Sequence, residues 1–84
     1  MSYQIILKPS AEKEMNRLPN AIYGRVDERI LSLRENPRPR GIKKLSGREE
    51  YRVRVGDYRI LFTIDDVRQV VFVSAVRHRR EVYG

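Results

Sequence analysis

Residues 51–62 read YRVRVGDYRILF. Apolar and polar side chains alternate on both sides of Gly56-Asp57, which is the pattern of two half-buried strands joined by a turn. A two-residue turn fixes the register: Val55 pairs with Tyr58, and Arg54 lies directly opposite Arg59. Like charges facing each other across a strand pair are destabilising. Arg52 falls on the same face. An antiparallel sheet commonly has one solvated side, and that is one reading of the three arginines. The other is an anionic partner, because a guanidinium offers phosphate a rigid fork of donors. An arginine stands where an acid would have balanced Arg54, and this favours the anion.

The rest of the 84-residue chain builds outward from this hairpin. Asp65-Asp66-Val67-Arg68-Gln69 makes a second turn, and the strand that follows, Val70 to Arg77, is apolar on both faces, which suits a central position. Tyr51, Val53, Val55, Tyr58, Ile60, Phe62 and Ile64 form the face expected to pack on helices. Upstream, Ser2 to Leu7 reads as a strand, and Pro9-Ser10 opens a helix that runs to about Leu18, since proline is tolerated in a first helical turn. Asn20 can cap a second helix. There Ile22, Val26, Ile30 and Leu33 recur at i, i+4, i+8 and i+11 as one apolar stripe. Pro37 and Pro39 end it. The order is β-α-α-β-β-β: an α+β domain over residues 1–84, with two helices on one face of a mainly antiparallel four-stranded sheet.

Composition narrows the function. Eighteen Lys and Arg against eleven Asp and Glu give a formal net charge of +7. Such a surplus suits a polyanion, most often nucleic acid, because neutralised phosphates release their condensed counterions. Beyond Arg68, the only acid is Glu81. With no cysteine and one histidine, a disulfide framework is excluded and a zinc site would lean on carboxylates. No metal or cofactor is expected. The longest apolar run, Val70 to Val73, is too short to cross a membrane, and a soluble cytoplasmic protein is predicted.

Further candidates flank the hairpin. Arg77, His78, Arg79 and Arg80 cluster at the end of the last strand, and Tyr83 follows. Histidine can exchange a proton near neutral pH. A tyrosine can stack on a base or take part in proton transfer. A surface histidine and a tail-docking tyrosine are the plainer readings. Lys43 and Lys44, expected in a loop, can reach a backbone phosphate.

Taken together, YQIILKPSAEKEMNRLP, KKLSG, YRVRVGDYRILF and VVFVSAVRHRREVY make nearly the whole chain resemble the RelE/ParE superfamily of bacterial toxins, and its RelE branch in particular. The resemblance implies a ribosome-dependent endoribonuclease that cuts the mRNA codon in the 30S A site. It implies a RelB-like antitoxin that wraps the toxin, and operator DNA contacted only through the antitoxin complex. Carried onto matching positions, it assigns Arg52 and Arg54 to the scissile phosphate, where relatives usually carry lysines. Arg59 becomes a phosphate binder. The arginine after the last strand is Arg79, with Arg77 the alternative. Tyr83 stacks on a base or helps activate the ribose hydroxyl, and His78 sits where some relatives carry a basic residue or a histidine assigned to acid–base work. Lys43, Lys44, Arg77, His78 and Arg80 are expected to bind RNA. Arginine at positions 52 and 54 makes a poor general base, though it can stabilise a developing phosphorane. Some relatives continue into a further helix that their antitoxin displaces; this sequence ends at Gly84. Two alternatives stay open: a ParE-like inhibitor of DNA gyrase, and a basic RNA-binding module without catalysis.

Overall fold

The computed structural model describes residues 2–45, 47 and 49–78. Among them the order is β1 (Gln4–Leu7), α1 (Pro9–Asn16), α2 (Asn20–Ser32), β2 (Lys43–Lys44), β3 (Tyr51–Val55), β4 (Tyr58–Asp65) and β5 (Val70–His78). The strands form a single sheet in the order β1-β5-β4-β3-β2. Only β1 runs parallel to its neighbour, β5; the other pairings are antiparallel. The apolar last strand is thus central, as its two-sided hydrophobicity requires.

One strand was not expected. Lys43 and Lys44 do not lie in a loop but pair with Arg52 and Tyr51, making the sheet five-stranded rather than four-stranded. Two polar residues carry no alternation to announce a strand; backbone pairing to β3 makes it. Other boundaries move slightly. β1 starts at Gln4 rather than Ser2, and β5 includes His78. In α1 the last turn tightens, with Leu18 N donating to the Met15 carbonyl at 3.1 Å, because the residue before a proline disfavours helical geometry. Asn20 is the first residue of α2 and not its cap. Pro19 holds the cap position with an extended ψ of 145°, and its carbonyl accepts from Ile22 N and Tyr23 N.

The core lies between the helices and one sheet face. Ala11 and Met15 of α1 and Val26, Ile30 and Leu33 from α2 and its end meet Val53, Val55, Ile60, Phe62, Val71, Val73 and Val76. Phe62 and Ile60 are fully buried. Burying a side chain of that size stabilises by about 1.5–3 kcal/mol. The Ile22–Leu33 stripe therefore docks as its spacing predicts.

A bulge in β5 decides which residues reach the opposite face. Leu61 pairs with Ala75 but Phe62 pairs with Val73, so Ser74 is the extra residue. Its hydroxyl lies 2.8 Å from Glu50 Oε2, to which it donates, and its carbonyl accepts from Ser10 Oγ at 3.1 Å. Without the bulge, strict alternation from Val71 and Val73 would put Ala75 and Arg77 on the core side. With it, Val76 enters the core and Arg77 moves to the outer face opposite Arg59.

At the other end of the sheet, Arg38 grips Asp66 through both Nη atoms at 3.1 and 2.9 Å, and Tyr3 Oη donates to the same carboxylate at 2.8 Å. These bonds hold the Asp66 carboxyl below its ordinary pKa, the Arg38 contact being the larger cause. The hydrogen bond to Asp66 in turn raises the Tyr3 hydroxyl. Arg38 also lies over the Tyr51 ring, 5.6 Å from its centre. The chain after α2 is tied in this way to the β4–β5 turn before it enters β2.

Candidate functional site

The site starts from the hairpin turn. Gly56 has φ 57°, a conformation that L side chains rarely adopt and that a two-residue hairpin turn uses. That turn brings Val55 opposite Tyr58 and Arg54 opposite Arg59, the register read from the sequence. Arg59 also pairs with Arg77 on β5, so three arginines occupy successive register positions across β3, β4 and β5. Lys43, Arg52, Leu61 and Ala75 make the neighbouring row.

Gly41, Lys43, Arg52, Arg54 and Arg59 line a cleft of about 310 Å³, with no acidic residue among them. Arg59 is only 8% exposed. Arg54 is exposed and anchored at the turn, where its Nε donates to the Gly56 carbonyl at 3.0 Å. Fixed guanidinium groups in a partly enclosed cleft can grip a phosphate through paired hydrogen bonds and stabilise negative charge that develops on it.

The remaining candidates are distributed differently. Lys43 lines the cleft, whereas Lys44 lies 3.9 Å from Glu49. Arg77 continues the arginine row by register, yet its guanidinium turns toward α1, with Nε 3.0 Å from Glu14 Oε2. His78 does not join the arginines. Its ring meets Tyr58 edge to face at 5.3 Å, in a separate cleft of about 190 Å³ that Glu14, Arg17 and Leu18 also line. Arg79, Arg80 and Tyr83 lie outside the described residues.

Two features around the site escaped sequence reasoning. Glu14 accepts from Val76 N at 3.1 Å through Oε1 while its other oxygen holds Arg77, so one carboxylate from α1 fastens the end of β5. No local pattern marks a contact between residues 62 and 63 positions apart. The second is Arg25 and Arg29 of α2, which line a groove beside Arg54. Their i, i+4 spacing was a visible signal, since it puts both on one face of the helix.

Comparison with known proteins gives the family and agrees with the fold. Residues 5–83 match the family model described as ParE toxin of type II toxin–antitoxin system, parDE. RelE1 of Methanocaldococcus jannaschii is 26% identical over 87 residues, covering 99% of this chain and 97% of that protein. The toxin–antitoxin complex RelBE2 of Mycobacterium tuberculosis contains a chain that superposes with a TM-score of 0.84 at 29% identity, covering 94% of this chain and 100% of that one. In the archaeal RelE–RelB complex of Pyrococcus horikoshii the TM-score is 0.83 at 29% identity, with 94% and 97% covered. The chain belongs to the ParE toxin family of type II toxin–antitoxin systems, within the RelE/ParE superfamily.

Proposed function

We propose that the chain is a ribosome-dependent endoribonuclease that cuts mRNA in the A site and is restrained by a RelB-like antitoxin. The observation that carries this reading is the Arg54–Arg59 opposition inside a cleft that Lys43 and Arg52 complete, with no acid among the described lining residues. Such an arrangement opposes folding stability and favours a bound phosphate. Support for the antitoxin comes from solved relatives such as the Pyrococcus horikoshii and Methanococcus jannaschii RelE toxins, which are in complex with RelB.

In the reaction the ribose 2′-oxygen attacks the adjacent phosphorus and loses its proton. The bond from phosphorus to the 5′-oxygen breaks, and that oxygen takes up a proton. The products are a 2′,3′-cyclic phosphate, or the monophosphate formed when water opens it, and a 5′-hydroxyl. Arg52, Arg54, Arg59 and Arg79 stabilise the phosphorane, a contribution that can exceed proton transfer in size. Tyr83 stacks on the base or takes the 2′ proton. Lys43, Lys44, Arg77, His78 and Arg80 bind the RNA around the cut. DNA is met only through the antitoxin complex.

Replacing Arg59 or Arg79 by alanine is expected to abolish toxicity in cells; full toxicity in both folded variants overturns the assignment. The description of the matched family favours a second reading, a ParE-like inhibitor of DNA gyrase. Labelled methionine and thymidine separate the two. Protein synthesis stops first for the nuclease, DNA synthesis first for the gyrase inhibitor.

A further inference from the structure

We propose that the groove between α2 and the β3–β4 hairpin carries the substrate RNA strand onward from the arginine cleft, with Arg25 and Arg29 as its phosphate ligands. This rests on the nuclease reading and deepens it. The groove, about 380 Å³, is lined by Arg25, Glu28, Arg29, Ser32, Arg54 and Gly56 among others. Arg54 lines both it and the arginine cleft, so the two lie side by side with one side chain between them.

Two further contacts join them. Arg29 Nη2 donates to the Arg40 carbonyl at 3.3 Å, next to Gly41 of the arginine cleft. Arg25 Nη1 lies 3.8 Å from the position a Cβ on Gly56 would take, while Arg54 Nε binds the Gly56 carbonyl. Two guanidinium groups therefore bracket the hairpin turn. The pairing of β2 stops at Arg52, and among the described residues no strand covers the outer edge of β3 beyond it.

The lining decides the class of partner. Among the described lining residues, three arginines face one acid, Glu28, and Val55 is the sole large apolar side chain. A protein segment would seek buried aromatic or aliphatic pockets for its anchors, and this groove offers none. An RNA backbone needs only cations at intervals along the strand.

The test is fluorescence anisotropy across a salt series with a 2′-O-methyl RNA dodecamer, which binds without being cut, and with the matching trinucleotide. Each phosphate contact on a single strand contributes about −0.7 to the slope of log affinity against log salt. The double variant R25Q/R29Q should flatten the dodecamer slope by about 1.4, equivalent to about 25-fold in affinity at 0.1 M salt. Trinucleotide binding should not change. K8Q/K13Q removes the same charge from exposed positions that do not line the groove, and should bind like wild type. If wild type and R25Q/R29Q give equal dodecamer slopes, the groove does not carry RNA, and an acidic protein becomes the occupant to seek. Equal losses for R25Q/R29Q and K8Q/K13Q also overturn the proposal, since only bulk charge then matters. If wild type binds neither oligonucleotide, the groove proposal falls. The nuclease reading requires the ribosome and falls only if primer extension with ribosomes shows no cuts.

Discussion

Removing the Glu14 carboxylate should loosen the end of β5, and the structure indicates by how much. Oε1 accepts from Val76 N, a strand N–H beyond the end of β1, and Oε2 holds Arg77 Nε. Glu14→Ala leaves that N–H without its acceptor, at a cost of about 1–3 kcal/mol if it stays dry. The site borders an open cleft of about 190 Å³, so water can replace part of the bond, and the lower half of that range applies. The ion pair adds little, about 0.2–1 kcal/mol, because Arg77 is 44% exposed. Alanine recovers a few tenths of a kcal/mol through its better helix propensity (~0.3 kcal/mol), too little to reverse the sign. The net expectation is a loss of about 1–2.7 kcal/mol, or about 4–22 °C in Tm for a domain of this size. Glu14→Gln keeps an acceptor oxygen and loses only the charge, so its Tm should fall by about 1–8 °C and by less than that of Glu14→Ala. Thermal unfolding by circular dichroism measures both. Equal destabilisation by the two variants would refute the hydrogen-bond account and give the effect to charge.

Two other substitutions probe different parts of the fold. Gly56→Ala forces a Cβ into φ 57° with only ordinary contacts around it, the nearest being Ile22 Cδ1 at 3.7 Å. The cost is therefore backbone strain of about 1–2 kcal/mol, and Gly56→Asn should cost less in urea unfolding. Equal losses for the two would point to the side-chain space instead. At Asp66 the folded-state pKa is depressed, so its contribution is present above the unfolded-state value of about 3.9 and is lost as pH falls through the folded value. The Tm difference between wild type and Asp66→Asn should thus be constant near neutrality and shrink below about pH 4. A difference unchanged at pH 3 contradicts the Arg38–Asp66–Tyr3 account.

What could be read in the sequence follows from how local each determinant is. The hairpin was legible because a two-residue turn fixes register, so the Arg54–Arg59 opposition came from twelve adjacent residues. The Ile22–Leu33 stripe was legible for the same reason, since helical period is a property of one segment. β2 was not, because a two-residue strand has no period and exists only through its pairing with β3. The bulge at Ser74 was hidden as well. Its partners, Glu50 and Ser10, lie 24 and 64 positions away, and a strand apolar on both faces does not show where its alternation slips. That slip decides that Arg77 joins the arginine row by register while His78 faces Tyr58. The sequence grouped Arg77 and His78 as one basic cluster; the strand separates them onto opposite faces.

The central claim is that the opposed arginines grip an RNA phosphate at which the chain is cut. Primer extension on a defined mRNA in a purified translation system, with and without ribosomes, tests it most directly. The account predicts cuts within the A-site codon that require ribosomes and vanish with Arg59→Ala. Uncut mRNA in the presence of folded protein that is toxic in cells would contradict it.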